Sequence, residues 1–126
     1  MKQWIIFVLA LGLIIGFNYL QATFLENTSK DVLFSIEELK IAGSNNDRIA
    51  MAQAVDKLNK TWGKVNVGWD IFAEHDSVES VEESIAKIKG CFELDEIKIM
   101  LIENDILREK VKRIVDMEKF KLVNVF

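Results

Sequence analysis

The chain has 126 residues, 50% hydrophobic and 29% charged, with a net charge of −4, no proline, one cysteine and one histidine. That length allows one domain and at most a small extra element. A lone cysteine excludes a disulfide framework and any multi-cysteine zinc or iron–sulfur site, and a lone histidine makes a multi-histidine metal centre or a His-paired catalytic system hard to build.

The apolar residues are concentrated at the start. Trp4 to Phe17 reads WIIFVLALGLIIGF, and the character continues through Tyr19, Leu20, Ala22, Phe24 and Leu25, interrupted by Asn18, Gln21 and Thr23. As a helix, Trp4 to Leu25 spans about 33 Å, enough to cross a bilayer with a slight tilt. Trp4 and Tyr19 lie near the two ends, where amphipathic rings favour the headgroups. A secretory signal peptide has a basic start and small residues before its cut site; here Lys2 is the whole basic region and no clear Ala-x-Ala site follows. The absence of a cysteine in this stretch excludes lipoprotein processing. The expectation is an uncleaved transmembrane anchor over residues 1–25 and a helical body over residues 26–126. A cleaved, secreted helical domain is a further alternative. Lys2 on one side, against Glu26, Lys30, Asp31, Glu37 and Glu38 on the other, favours a single-pass protein of the cell membrane with a cytoplasmic N-terminus and an extracytoplasmic body.

Every acidic residue and all basic residues but Lys2 follow Leu25, so the body is net-negative. That argues against nonspecific nucleic-acid binding and against an electrostatic hold on anionic lipid. Helical periodicity dominates. Leu25, Val32, Ile36 and Leu39 follow a three-four spacing with Ser29 in the same seam, so the anchor is expected to continue as one helix to about Ala42. Gly43-Ser44-Asn45-Asn46 breaks it, and Asn46 or Asp47 can cap a second helix. The next seam runs Met51, Val55, Leu58, Trp62, Val65, Trp69 and Phe72 without a miss.

The register then slips by one residue before Val78, Val81, Ile85, Ile88 and Phe92. Asp76 with Glu79 reads as a capping box, which places a break or kink near residues 75–77, with a continuous, stuttering helix as the alternative. The third helix is expected to end near Gly90. Asp95 can cap a fourth, with Leu94 and Ile99 as a hydrophobic staple. Ile97 to Ile102 is apolar on more than one face, and Ile99 to Ile102 also reads as a buried strand; the periodic pattern running on to Val115 decides for helix. Its first half should be central, and the half carrying Leu107, Val111, Ile114 and Val115 an outer arm. The apolar tail from Leu122 to Phe126 is a candidate for docking on the bundle. The expected fold is all-α: an N-terminal transmembrane helix followed by an antiparallel bundle of three to four helices.

Four features together carry a family resemblance: the N-terminal span with a short basic start; Trp62 and Trp69 seven apart; His75-Asp76-Ser77-Val78-Glu79 leading to Val81 and Ile85-Ala86-Lys87-Ile88; and the terminal Leu-Val-Asn-Val-Phe. The chain resembles the small bacterial single-span membrane proteins grouped as domain of unknown function four-three-six-three, found mainly in spore-forming Gram-positive bacteria. The resemblance covers almost the whole chain and makes Trp62, Trp69, His75, Glu79, Val81 and Asn124 family-pattern residues. Ser77 stands where an acid is expected, which weakens any shared acidic site there. The resemblance implies a membrane anchor, a helical body and service to a neighbouring membrane partner, and no activity.

Chemistry-bearing residues are sparse. Asp70 to Glu83 gathers six carboxylates with His75 and no lysine or arginine. In a continuous helix His75 and Glu79 share a face, with Glu82 following, so His75, Glu79 and Glu82 form a candidate divalent-metal set. The Glu-x-x-His pattern of carboxylate-bridged di-metal bundles is absent, because Phe72 stands where that glutamate would be. The plainer reading is a helix start, where acids favour the positive dipole end. Trp62, Trp69 and Phe72 read as core or as a groove for a partner helix. Arg108 to Lys121 carries a local basic excess, read as a solvated face or a surface for an acidic partner. Cys91 reads as a core filler. No phosphate loop, nucleophile elbow or kinase motif occurs. These residues support a non-enzymatic, membrane-anchored interaction module that holds or regulates an envelope or spore-membrane partner. It needs no cofactor, binds no nucleic acid, and pairs with a membrane protein or itself. The alternative is a metal-binding or catalytic bundle around His75.

Overall fold

The computed structural model describes residues 1–125, apart from the side chains of Leu122 and Val125. Four helices follow in chain order: α1 (Lys2–Ser44), α2 (Arg48–Phe72), α3 (His75–Glu93) and α4 (Ile97–Val125). Each packs on the next, α4 returns to α1, and among the described residues the backbones of the diagonal pairs do not approach. This is a square up-down-up-down bundle, the arrangement that short connections enforce. The stretch Ile99–Ile102 is helical, as the longer pattern requires.

α1 is unbroken across the expected anchor–body boundary and ends two residues past Ala42. Nothing packs around its first part: residues 1–14 are all exposed. Its second part presents Leu25, Ser29, Val32, Ser35, Ile36, Leu39 and Ala42 to the core, on the three-four spacing. From α2 the core receives Met51, Ala54, Val55, Leu58, Trp62 and Trp69; from α3, Val78, Val81, Ser84, Ile85, Ile88 and Cys91. Val65, Phe72 and Phe92 are partly buried at its edge.

Two of the three turns share one chemistry. Asn46 and Asp95 adopt φ of 53° and 61°, the left-handed region that Asn and Asp tolerate best among residues with a side chain. One residue later, the amides of Asp47 and Glu96 reach back to the carbonyls of Ala42 (3.0 Å) and Cys91 (2.8 Å), closing each helix end. Both turns lie at the end of the bundle away from the apolar stretch, where Arg48 pairs with Asp95. Asp47 caps α2, its carboxylate accepting from the Ala50 amide (3.1 Å).

Several boundaries differ from the sequence-based expectation. The break between α2 and α3 falls at Ala73 and Glu74, which are extended, and not at residues 75–77. Asp76 is inside the first turn of α3 and the N-cap is Glu74, so the capping box does not form; Asp76 still meets the positive helix end. α3 continues past Gly90 to Glu93, because Cys91 and Phe92 keep its seam against the core. Asp95 lies in the turn, in the left-handed conformation, and the Met100 amide bonds the Glu96 carbonyl instead. Leu94 and Ile99 both face solvent, at 74% and 45%, so no staple holds them.

Both halves of α4 pack on the core, the first through Met100 and Asn104, so the second half is not an outer arm. Ile99, Ile102 and Ile106 are exposed while Glu103 and Asn104 are buried, and the second half packs through Leu107, Val111, Ile114, Val115 and Glu118. Apolar residues on two faces fixed the helix but not which face turns inward; the buried polar residues find partners that only the folded bundle supplies. In the tail, Val123 and Asn124 are exposed; the side chains of Leu122 and Val125, and Phe126, lie outside what is described.

One close approach depends on glycine. A Cβ at Gly68 would enter the ring of Phe24, which is backed by Phe72 at 5.3 Å, so α1 and α2 meet there only because α2 has no side chain. Gly63, one turn earlier, has nothing within 4 Å. Replacing Gly63 with alanine is expected to stabilise by about 1 kcal/mol through helix propensity. The same change at Gly68 should destabilise, because overpacking costs about 1–3 kcal/mol and a ring cannot bend aside. Urea melts of the two variants check the opposite signs.

Candidate functional site

His75 opens α3 and Glu79 lies one turn on; His75 Nε2 is 3.9 Å from Glu79 Oε2, with the side chains 82% and 59% exposed. Glu82 is exposed as well. Among the described residues, no group of three or more histidine, cysteine, aspartate or glutamate side chains is placed to hold a metal ion. The acidic stretch is spread by the α2–α3 turn, which puts Asp70 on one helix and Asp76 to Glu83 on the other.

Trp62 and Trp69 meet edge to face, with centroids 5.5 Å apart at 66°, a preferred aromatic geometry. Both are buried, and Trp69 completely. Trp69 Nε1 donates to Thr28 Oγ1 at 2.8 Å, and Thr28 in turn donates to the Phe24 carbonyl at 2.7 Å, so this ring is bonded to α1. The buried Nε1 of Trp62 has no partner among the described residues. Phe72 closes the same face lower down, against Phe17 at 5.6 Å and Phe24 at 5.3 Å. These three side chains form a core wall between α1 and α2.

The junction of the apolar stretch with the bundle is polar and joins five residues. Gln21 Nε2 donates to the Phe72 carbonyl, at the end of α2, and to Glu118 Oε2 at 2.9 Å. Lys121 Nζ donates to Glu118 (3.4 Å) and to Glu74 (3.2 Å). Gln21 therefore ties α1 to α2 and α4 at once. A second tie joins Lys119 to Glu26 at 2.9 Å. Apart from Glu118 and Lys121, three residues apart on α4, no local pattern announces these pairs, because the partners are far apart in sequence. A usable signal exists: Gln21 and Glu118 are polar residues on otherwise apolar seams, as are Ser84 and Asn104.

The ties titrate in opposite directions. The hydrogen bond from Lys119, with its charge, holds the Glu26 carboxyl below its ordinary range. The hydrogen bond to Glu74, aided by Glu118, raises the Lys121 ammonium above its own. A lowered acid stabilises above its unfolded pKa and loses this as pH falls through the folded value; a raised lysine stabilises below its unfolded pKa and loses this as pH rises through the folded value. Lys119→Met is expected to lower the melting temperature slightly at neutral pH, with the difference vanishing in acid. For Lys121→Met the difference should vanish in strong alkali. Both effects should shrink in high salt, because the lysines are half exposed.

Between α3 and α4, Ser84 Oγ donates to Glu103 Oε1 (2.8 Å), Lys110 Nζ donates to Ser84 Oγ (2.6 Å) and the Ser80 carbonyl (3.1 Å), and Lys87 lies 3.5 Å from the other Glu103 oxygen. This buried carboxylate is fully engaged and has no oxygen free for chemistry. The outer face of α4 carries Ile99, Ile102 and Ile106 at one end and Met117, Phe120 and Val123 at the other, all at least 42% exposed. Shallow depressions lie along it on either side of Glu109 and Arg113.

The molecule is thus an up-down four-helix bundle with an exposed apolar extension of its first helix. The chain belongs to the family described as domain of unknown function (DUF4363), whose sequence model matches residues 19–125. The match takes in α2, α3, α4 and the bundle half of α1. No curated protein and no solved structure matches the chain.

Proposed function

We propose that this protein is a single-pass membrane protein whose helical bundle serves as an accessory or scaffold module for an envelope partner. One observation carries the anchor. α1 is long and apolar enough to cross a membrane, and its apolar window is almost entirely unburied. A core helix of a soluble bundle would bury such a stretch, and contiguous exposed apolar surface of this extent marks contact with lipid or another protein. The scaffold part rests on the site chemistry: the buried carboxylates Glu103 and Glu118 are bonded to neighbouring side chains, and the tryptophan pair is packed as core. The positive-inside bias of Lys2 supports a bundle outside the cytoplasm.

Flotation on a sucrose gradient tests the anchor. The full chain, expressed in membranes and washed with alkaline carbonate, should float with lipid, and a Leu13→Arg/Ile14→Arg variant should not. A chain that carbonate strips from the membrane would sink this reading. Maleimide labelling of a Ser44→Cys variant in intact cells reads the orientation, and co-purification from mild detergent through a C-terminal tag reads the partner.

A further inference from the structure

The free apolar part of α1 is short for a bilayer. Phe72 packs on Phe17 and its carbonyl accepts from Gln21, while Glu118 meets Gln21, so the bundle begins level with Phe17 to Gln21. From Trp4 to Phe17 a helix rises about 20 Å. The hydrocarbon core of a typical bilayer is about 30 Å thick. A span this short thins the bilayer or draws the flanking structure into it.

The flanking structure here presents exposed apolar side chains beside the polar tie at Gln21. α4 runs antiparallel to α1, with Asn104 bonded to the Ile36 carbonyl near one end and Lys119 to Glu26 near the other. Beyond Glu118 it continues to Val125, about 10 Å further along the apolar stretch. On that extension Phe120 and Val123 are 67% and 70% exposed, and Ile71, at the foot of α2, is 66% exposed. Lys121 is paired with Glu74 and Lys119 with Glu26, and the carboxylate beside Ile71, Asp70, is exposed. Lysine stems can lie along apolar surface while their ammonium groups reach the phosphates.

We propose that the base of the bundle, formed by the last turns of α4 and the foot of α2, is a second membrane contact, seated in the lipid headgroup layer through Ile71, Phe120 and Val123. The proposal rests on the membrane-anchor reading. The contact is apolar, so it needs no anionic lipid. It makes up the length that the free part of α1 lacks, and it holds the bundle upright on the surface.

Site-directed spin labelling tests it on the full chain. Cysteines replace Leu13, Ile71, Ile102, Phe120 and Val123 one at a time in a Cys91→Ala background. Each variant is labelled with a nitroxide and reconstituted into dioleoylphosphatidylcholine vesicles. All but the background change lie at exposed positions, so the labels should not disturb the fold. Power saturation then compares collisions with oxygen, which concentrates in lipid, and with a water-soluble nickel chelate. Labels at 71, 120 and 123 should favour oxygen severalfold, as the anchor label at 13 does, while the label at 102, on the same outer face of α4 at its far end, should favour nickel. If 71, 120 and 123 behave like 102 while 13 reports lipid, the proposal is overturned and the anchor stands. If 13 also reports water, the anchor reading itself has failed. A lipid signature that appears only with added phosphatidylglycerol would replace the apolar seat by charge attraction. Shielding from both agents would show that protein covers the surface. Either of the last two results overturns the proposal.

Discussion

Replacing Trp69 with alanine should cost about 3–5 kcal/mol, the range for deleting a large aromatic from a core. The ring is fully buried, packs edge to face on Trp62, and bonds Thr28 on the neighbouring helix. Marginal stability makes this a large share of the total, so the variant should melt far below the wild type or fail to fold. Two phenylalanine variants separate packing from hydrogen bonding. Trp69→Phe removes a bonded donor and leaves Thr28 Oγ1 without it, at an added cost of about 1 kcal/mol. Trp62→Phe removes a donor that had no partner, so its packing loss is partly offset. Urea unfolding should therefore rank Trp62→Phe above Trp69→Phe, and both well above Trp69→Ala. If Trp69→Ala leaves stability untouched but abolishes capture of a partner, the ring belongs to a groove and the core assignment fails.

Asn104→Asp is expected to have a comparable effect, with a pH signature. Asn104 is fully buried; its amide nitrogen donates to the Ile36 carbonyl at 2.9 Å, and its oxygen has no partner among the described residues. An ionised carboxylate in that place would face a carbonyl with no donor, so the introduced group should stay protonated in the folded state. Holding a carboxyl neutral at pH 7, against an unfolded pKa near 3.9, costs about 4 kcal/mol. The introduced group has its folded pKa raised, so the deficit should shrink as pH falls and be under about 1 kcal/mol near pH 4. Asn104→Leu removes the polar atoms altogether and should change stability by less than about 2 kcal/mol. Melts of both variants at pH 4 and 7 check this, and a pH-independent deficit for Asn104→Asp would refute it.

The fold was largely legible because three helices carry one apolar stripe each. Met51 to Phe72 and Val78 to Phe92 recur at helical spacing, and one-sided stripes leave a single way to pack. The one-residue slip between them correctly demanded a break, but its position moved to Ala73 and Glu74: Asp76 and Glu79 have the spacing of a capping box, and the chain turns two residues earlier. The second half of α4 was misread as an outer arm, and the first half is apolar on two faces. Hydropathy cannot tell Ile102, which is exposed, from Leu107, which is buried. What decides is whether Glu103 and Asn104 find partners on α3 and α1, and those partners lie elsewhere in the chain. The family resemblance, resting on Trp62, Trp69 and the residues after His75, agrees with the family match. At the junction, polar Gln21 on an apolar seam was a signal, but its partners were not legible. Glutamine in an apolar run reads as a blemish until Glu118 is folded against it.

The continuity of α1 has a mechanical consequence. From Lys2 to Ser44 it is one rod of roughly 65 Å, with neither hinge nor glycine-rich leash where it enters the bundle. A body hung on a flexible linker would sweep out a volume and meet partners at many heights. This one has no swivel: a tilt of the rod at one end is a swing of the bundle's tip at the other. The turns around Asn46 and Asp95 therefore keep one fixed distance from the far end of the apolar stretch.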